Sequence, residues 1–66
     1  MQVFVNGEAR DIEAGTTLAD LLAELGVQSR HVAVEANMQL VPRAAHGEHC
    51  LADGDRLEIV TLVGGG

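Results

Sequence analysis

The residues best suited to chemistry are the last three, Gly64, Gly65 and Gly66, which follow an apolar run over residues 57–63. Glycine loses more backbone entropy on ordering than any other residue, so packing gives no reason for this ending. Without Cβ atoms, the three residues fit a channel as narrow as a backbone, and they would deliver the Gly66 carboxylate into another protein's active site. The alternative interpretation is a frayed terminus.

The composition limits the partners of the chain. Ten acidic residues against four arginines, with no lysine, give a formal net charge of −6. Nucleic acid and anionic membranes are therefore poor partners, whereas a basic protein surface is electrostatically complementary.

The length and the cysteine content indicate the class of protein and its setting. Sixty-six residues predict one small domain, too small for an active-site cleft of its own. The single cysteine cannot form an internal disulfide, and we find neither a signal peptide nor a long apolar span. We expect a protein that is not an enzyme, is monomeric when free and resides in the cytoplasm.

The elements that must position the tail begin with a hairpin. Residues 2–5 form an extended run ending at Asn6-Gly7, a dipeptide typical of type I′ turns, so residues 8–13 should return as a second strand. The alternation directs Val3 and Val5 to the core, together with Ile12.

A helix should follow the hairpin. Thr17 and Asp20 have the spacing of a capping box, and Gly26 is placed to end the helix in a left-handed conformation. Between them lies an apolar stripe with the helical spacing i, i+3, i+4, i+7 that should pack on a sheet: Leu18, Leu21, Leu22 and Leu25.

The rest of the chain predicts three more strands. Residues 31–36 and 39–41 flank a turn, residues 43–50 form a loop with one helical turn, and residues 53–55 turn into the last strand. The order ββαβββ predicts an α+β domain with the β-grasp, or ubiquitin-like, fold: a mixed sheet of four to five strands on one helix, with the first and last strands parallel. We predict the domain over residues 1–63 and a flexible tail over residues 64–66.

One sheet face is a candidate docking surface. If Leu57 and other alternate residues point inward, the outer face carries an apolar patch with acid beside it: Phe4, Glu58, Val60 and Leu62. Scattered apolar residues on an open sheet are the alternative.

A metal site is not predicted. His46, His49 and Cys50 lie close in sequence but lack a fourth ligand and a paired cysteine motif. We expect Cys50 to be a small, at least partly buried apolar residue.

Four segments together carry a family resemblance. They are residues 1–7, residues 17–22, residues 32–37 leading to Val41-Pro42-Arg43, and residues 53–60 running into the glycines. In this order, over the whole chain, the sequence resembles the ThiS family, the sulfur carriers of thiamine biosynthesis within the ThiS/MoaD group.

The resemblance implies a chemistry for the tail. In such carriers a ThiF-like, E1-like enzyme adenylates the terminal glycine carboxylate, here Gly66, with Gly64 and Gly65 as narrow links. Sulfur from a donor such as a cysteine desulfurase then gives a thiocarboxylate that a ThiG-like thiazole synthase uses. No cofactor is bound by the carrier, since ATP and any metal belong to the activating enzyme. A MoaD-like carrier for molybdopterin or another product, and a non-reactive ubiquitin-like binding module, are the alternatives.

Overall fold

The computed structural model describes residues 1–62, and it begins with the predicted hairpin. Strand β1 (Gln2–Val5) pairs antiparallel with β2 (Glu8–Asp11). Asn6 and Gly7 connect the strands with φ angles of 50° and 86°, the positive values that a type I′ turn requires. The second strand ends at Asp11 instead of residue 13, although Ile12 is buried in the core as predicted.

Helix α1 (Leu18–Glu24) starts at the predicted capping box. The Thr17 hydroxyl accepts from the Asp20 amide, and the Asp20 carboxylate accepts from the Thr17 amide, both at 3.1 Å. Gly26 follows the helix with a φ of 74°, which confirms its role at the helix end. The stripe is confirmed in its first three leucines, which are buried, whereas Leu25 is half-buried.

The sheet of the described chain has five strands in the order β2-β1-β5-β3-β4. Strands β3 (Val32–Ala36) and β4 (Gln39–Val41) form a second antiparallel hairpin. Strand β5 (Arg56–Thr61) lies between β1 and β3, parallel to the first and antiparallel to the second. The predicted central, parallel placement of the last strand is therefore confirmed.

The core lies between α1 and one face of the sheet. Its largest fully buried side chains are Leu18, Leu21, Leu22, Val3, Val34 and Leu57. Burial of each leucine removes enough apolar surface from water to contribute about 1.5–3 kcal/mol. On the opposite face of the sheet, apolar side chains such as Val60 and Leu40 are exposed.

Two short 3₁₀ turns complete the described chain, Ser29–His31 before β3 and Arg43–Ala45 after β4. The first includes His31, which the sequence pattern had assigned to the strand. The second is the predicted single helical turn in the loop after Pro42. Within residues 1–62, no helix combines the length and the apolar character needed to cross a membrane.

Candidate functional site

The described chain stops where the candidate tail begins. After β5, the Leu62 amide donates to the His31 carbonyl at 2.8 Å, so this residue is still joined to the domain by a backbone hydrogen bond. Gly64, Gly65 and Gly66 lie outside the described residues, as does the predicted boundary at residue 63.

Asparagine side chains at two turns hold β5 in place. The side-chain nitrogen Nδ2 of Asn6 donates to the Ile59 carbonyl at 3.1 Å, and the Ile59 backbone amide donates to the Asn6 side-chain oxygen at 2.8 Å. At the other side of the strand, the Arg56 amide donates to the Asn37 side-chain oxygen at 3.0 Å. Asn6 therefore pairs with β5 as a further residue of β1 would. This pairing holds β5, the strand that precedes the tail in the sequence, in the sheet.

The outer sheet face carries the predicted docking residues. Val60 and Leu62 expose 59% and 48% of their surface, and Glu58 is exposed on the same side of β5. Phe4 is only half-buried on β1, and the Arg56 guanidinium carbon lies 4.8 Å from the centroid of its ring. The four predicted residues share one face, but the aromatic ring is shared with a neighbouring cation.

The structure adds residues that sequence reasoning missed. Ala33 pairs with Val60 across β3 and β5, and Glu35 pairs with Glu58 in the same ladder. On β4, Leu40 lies opposite Glu35 and exposes 67% of its surface. The alternation within β3 and β4 was a usable signal, because the neighbours Val34 and Val41 point to the core.

Glu35 and Glu58, which pair across two strands, make this face favourable for a basic partner group. Two like charges placed directly opposite each other on neighbouring strands are destabilising. Glu35 and Glu58 are both exposed, so a basic group approaching the face would offset their repulsion. The face can therefore receive a surface that combines apolar side chains with a cation.

His46 and Cys50, two of the residues that lie close in sequence, differ in burial. His46 is buried, with 2% of its surface exposed, and its ring nitrogens lie 2.9 Å from the Ser29 hydroxyl and 3.1 Å from the Val41 carbonyl. Cys50 is exposed, contrary to the expectation of at least partial burial. It lies in an extended segment that bridges to Thr17, where successive side chains point to opposite sides, and the next residue, Leu51, is the one that is buried. Within residues 1–62, no three His, Cys, Asp or Glu side chains converge as a metal site would require.

Comparison with known proteins identifies the family. The model of the ThiS family matches residues 3–66, which is nearly the whole chain. The chain belongs to the ThiS family. The resemblance stated from the sequence is thereby confirmed.

Full-length relatives support both the ThiS assignment and the fold. The sulfur carrier protein ThiS of Escherichia coli is 33% identical, with both chains covered over their full length. The crystal structure of the thiamine biosynthesis protein ThiS from Geobacter metallireducens is 32% identical, covers both chains fully and superposes with a TM-score of 0.84. The predicted β-grasp fold is confirmed.

Longer relatives contain a ThiS-like stretch. The thiazole synthase of Paramagnetospirillum magneticum is 48% identical over 66 residues, the whole of this chain but 20% of that protein. The thiazole synthase of Magnetococcus marinus matches over the same share of its length, with 44% identity. The chain thus spans about a fifth of the length of these curated relatives.

Proposed function

We propose that this chain is a sulfur carrier of thiamine biosynthesis and that its reactive group is the carboxylate of Gly66. The observation that carries the proposal is the ThiS family match over residues 3–66. Support comes from the β-grasp domain, in which the central strand β5 leads to Leu62 and thus directs the chain toward the glycines.

The proposed reaction follows from the chemistry of carboxylates. A free carboxylate is a poor electrophile, because its negative charge and its resonance repel nucleophiles. Joining it to AMP, with loss of pyrophosphate from ATP, forms a mixed anhydride whose phosphate is a good leaving group. The terminal sulfur of a donor persulfide then attacks the acyl carbon, and AMP leaves, which forms an acyl disulfide. A thiol cleaves the S–S bond of this acyl disulfide, so that the donor sulfur and the thiol become a disulfide and Gly66 ends in a thiocarboxylate.

The catalytic machinery of this proposal belongs to other proteins. A ThiF-like, E1-like enzyme would bind ATP and any metal, and a donor such as a cysteine desulfurase would supply the sulfur. The chain itself is a cosubstrate, and we place the reaction in the cytoplasm, where ATP is available. Gly64 and Gly65 would be the links that pass through the narrow channel of that enzyme.

A ThiG-like thiazole synthase is the proposed acceptor of the sulfur. Support comes from the thiazole synthases that contain a stretch similar to this chain, because joining two proteins in one polypeptide favours their association. A carrier that serves molybdopterin or another product differs only in the acceptor enzyme.

The proposed docking surface is the outer sheet face. Val60 and Leu62 supply exposed apolar surface beside the start of the tail, and Phe4 and Glu58 extend the same face. Burial of this apolar surface against the activating enzyme would stabilise the complex, and Glu58 with Glu35 would select a basic partner group.

The test is a measurement of intact mass. The intact mass of the protein isolated from its source is measured first, to establish that Gly66 carries the free carboxylate. It is then incubated with the E1-like enzyme of the same organism, ATP and a sulfur donor. A sulfur carrier gains the mass difference between one sulfur and one oxygen, whereas a non-reactive binding module keeps its mass.

Two glycine variants make the result specific. Deletion of Gly66 should abolish the mass gain. Gly47→Ala should keep the gain, because this glycine has no positive φ and a Cβ there meets no atom within 4 Å. An unchanged mass of the wild-type protein would refute the carrier function, and a gain in the deletion variant would refute the assignment to Gly66. Transfer of the sulfur to a thiazole synthase separates this proposal from the molybdopterin alternative.

A further inference from the structure

A groove of about 250 Å³ lies beside the last described residue. Leu62, Leu40 and Pro42 give it apolar lining at the edge of the sheet where β4 lies. Arg30 and Arg43 also line it, one from each of the two 3₁₀ turns, and both are exposed. We call this feature the tail-root groove.

The charge of the tail-root groove is opposite to that of the chain as a whole. The chain has a formal net charge of −6, and its cationic side chains are four arginines. Two of the four, Arg30 and Arg43, line this one groove. Arg56 lies over the Phe4 ring, and Arg10 belongs to β2, at the opposite edge of the sheet. Positive charge is thus concentrated where the tail begins.

A buried polar contact holds the two sides of the groove together. A carbonyl oxygen only accepts hydrogen bonds, so Nε2 of His46 donates to Val41 at 3.1 Å, and Nδ1 of the same ring lies within hydrogen-bond distance, 2.9 Å, of the Ser29 hydroxyl. Ser29 begins the turn that carries Arg30, and Val41 lies two residues before Arg43. The ring therefore fixes the spacing of the two turns.

We propose that the tail-root groove binds a carboxylate side chain, from Asp or Glu, of the enzyme that activates the tail. Guanidinium groups bind carboxylates with paired, charge-assisted hydrogen bonds, and the apolar lining would exclude water around them. The proposal rests on the proposed function and adds a partner group to it.

The groove and the outer face together define an orientation. Glu35 and Glu58 favour a basic partner group at the centre of the face, whereas Arg30 and Arg43 favour an acidic group beside the tail. A partner with both groups fits in one orientation, and reversing the carrier places like charges together. This polarity would align the tail with the mouth of the channel.

Charge-reversal variants test the groove. The dissociation constant of the complex with the E1-like enzyme of the same organism is measured for Arg30→Glu, Arg43→Glu and the matched control Arg10→Glu. All three change the net charge equally. We expect each groove variant to bind about tenfold more weakly, because an attractive contact becomes repulsive, and the control to stay within about twofold of the wild type.

The competing explanation predicts the opposite sign. If only the overall acidic charge attracts a basic enzyme, all three variants should bind at least as tightly as the wild type. Tighter binding of the groove variants alone would mean that the groove holds an acidic group of this chain. Either result overturns the proposal.

Folding and function are separated by further measurements. Circular dichroism establishes that each variant is folded, and Arg43→Gln repeats the test without an added negative charge, with weaker binding again expected. If the wild type neither binds the enzyme nor gains sulfur mass, the proposed function and this inference both fail. If the wild type gains sulfur and the groove variants bind like Arg10→Glu, only this inference is refuted.

Discussion

One side chain holds the strand that leads to the tail, and Asn6→Ala tests what it contributes. Asn6 exchanges two hydrogen bonds with the backbone of Ile59, at 2.8 and 3.1 Å, in a left-handed conformation with a φ of 50°. Asparagine tolerates that conformation better than alanine, so the substitution removes two contacts and also strains the turn.

The expected loss is large for a domain of this size. Each hydrogen bond contributes about 1 kcal/mol, and the left-handed conformation costs alanine roughly 1 kcal/mol, for a total of about 3 kcal/mol. A single core below about 70 residues rarely supplies more than about 3–5 kcal/mol. Asn6→Ala should therefore remove most of the free energy of unfolding. Asn6→Gly keeps the positive φ without strain and should lose about 2 kcal/mol.

Urea unfolding followed by far-ultraviolet circular dichroism measures both variants, since the chain has no Trp or Tyr for fluorescence. Amide hydrogen exchange adds a local reading, because the Ile59 amide should lose protection in both. If Asn6→Gly has the same urea midpoint of unfolding as the wild type, the hydrogen bonds of the Asn6 side chain contribute nothing and the reasoning is wrong. If the alanine and glycine variants are equally stable, the strain component is refuted.

Two other predictions concern the core and the docking face. Leu21→Ala empties a fully buried position on α1 and should lower the free energy of unfolding by about 2–5 kcal/mol. The control Leu40→Ala, at an exposed position, should change the free energy of unfolding by less than about 0.5 kcal/mol. Equal urea midpoints for the two variants would contradict the assignment of the core. Val60→Ser, at an exposed position, should leave the free energy of unfolding within about 0.5 kcal/mol of the wild type. It should weaken binding to the activating enzyme by about 1 kcal/mol, which is roughly fivefold in the Kd measured by titration calorimetry. An unchanged Kd would contradict the proposal that this face is the docking surface.

The open sheet face and the tail-root groove have different consequences for partner choice. The face presents apolar surface and two glutamates, which many basic proteins could match. The groove adds an acidic requirement beside the tail. A partner that satisfies both requirements is rarer than one that satisfies either, so specificity can arise without a deep pocket on the carrier.

Local signals account for the parts of the fold that were predicted correctly. The Asn6-Gly7 turn and the capping box of Thr17 and Asp20 depend on residues within a few positions of each other, and both formed as expected. Strand limits were less accurate. His31 lies in a 3₁₀ turn although it begins an apolar, β-branched run, because its amide donates to the Gln28 carbonyl at 2.9 Å and so belongs to the turn.

The sequence by itself determined the order of the elements, the inward faces of the strands and the family, because period, turn chemistry and segment order are properties of neighbouring residues. The tertiary structure decided which distant residues meet. It placed Glu35 beside Glu58, and it brought Arg30 and Arg43 to one groove through the buried ring of His46. Pairing of strands that are distant in sequence and contacts between separate turns are non-local, so they arise from packing of the whole domain and local pattern does not encode them.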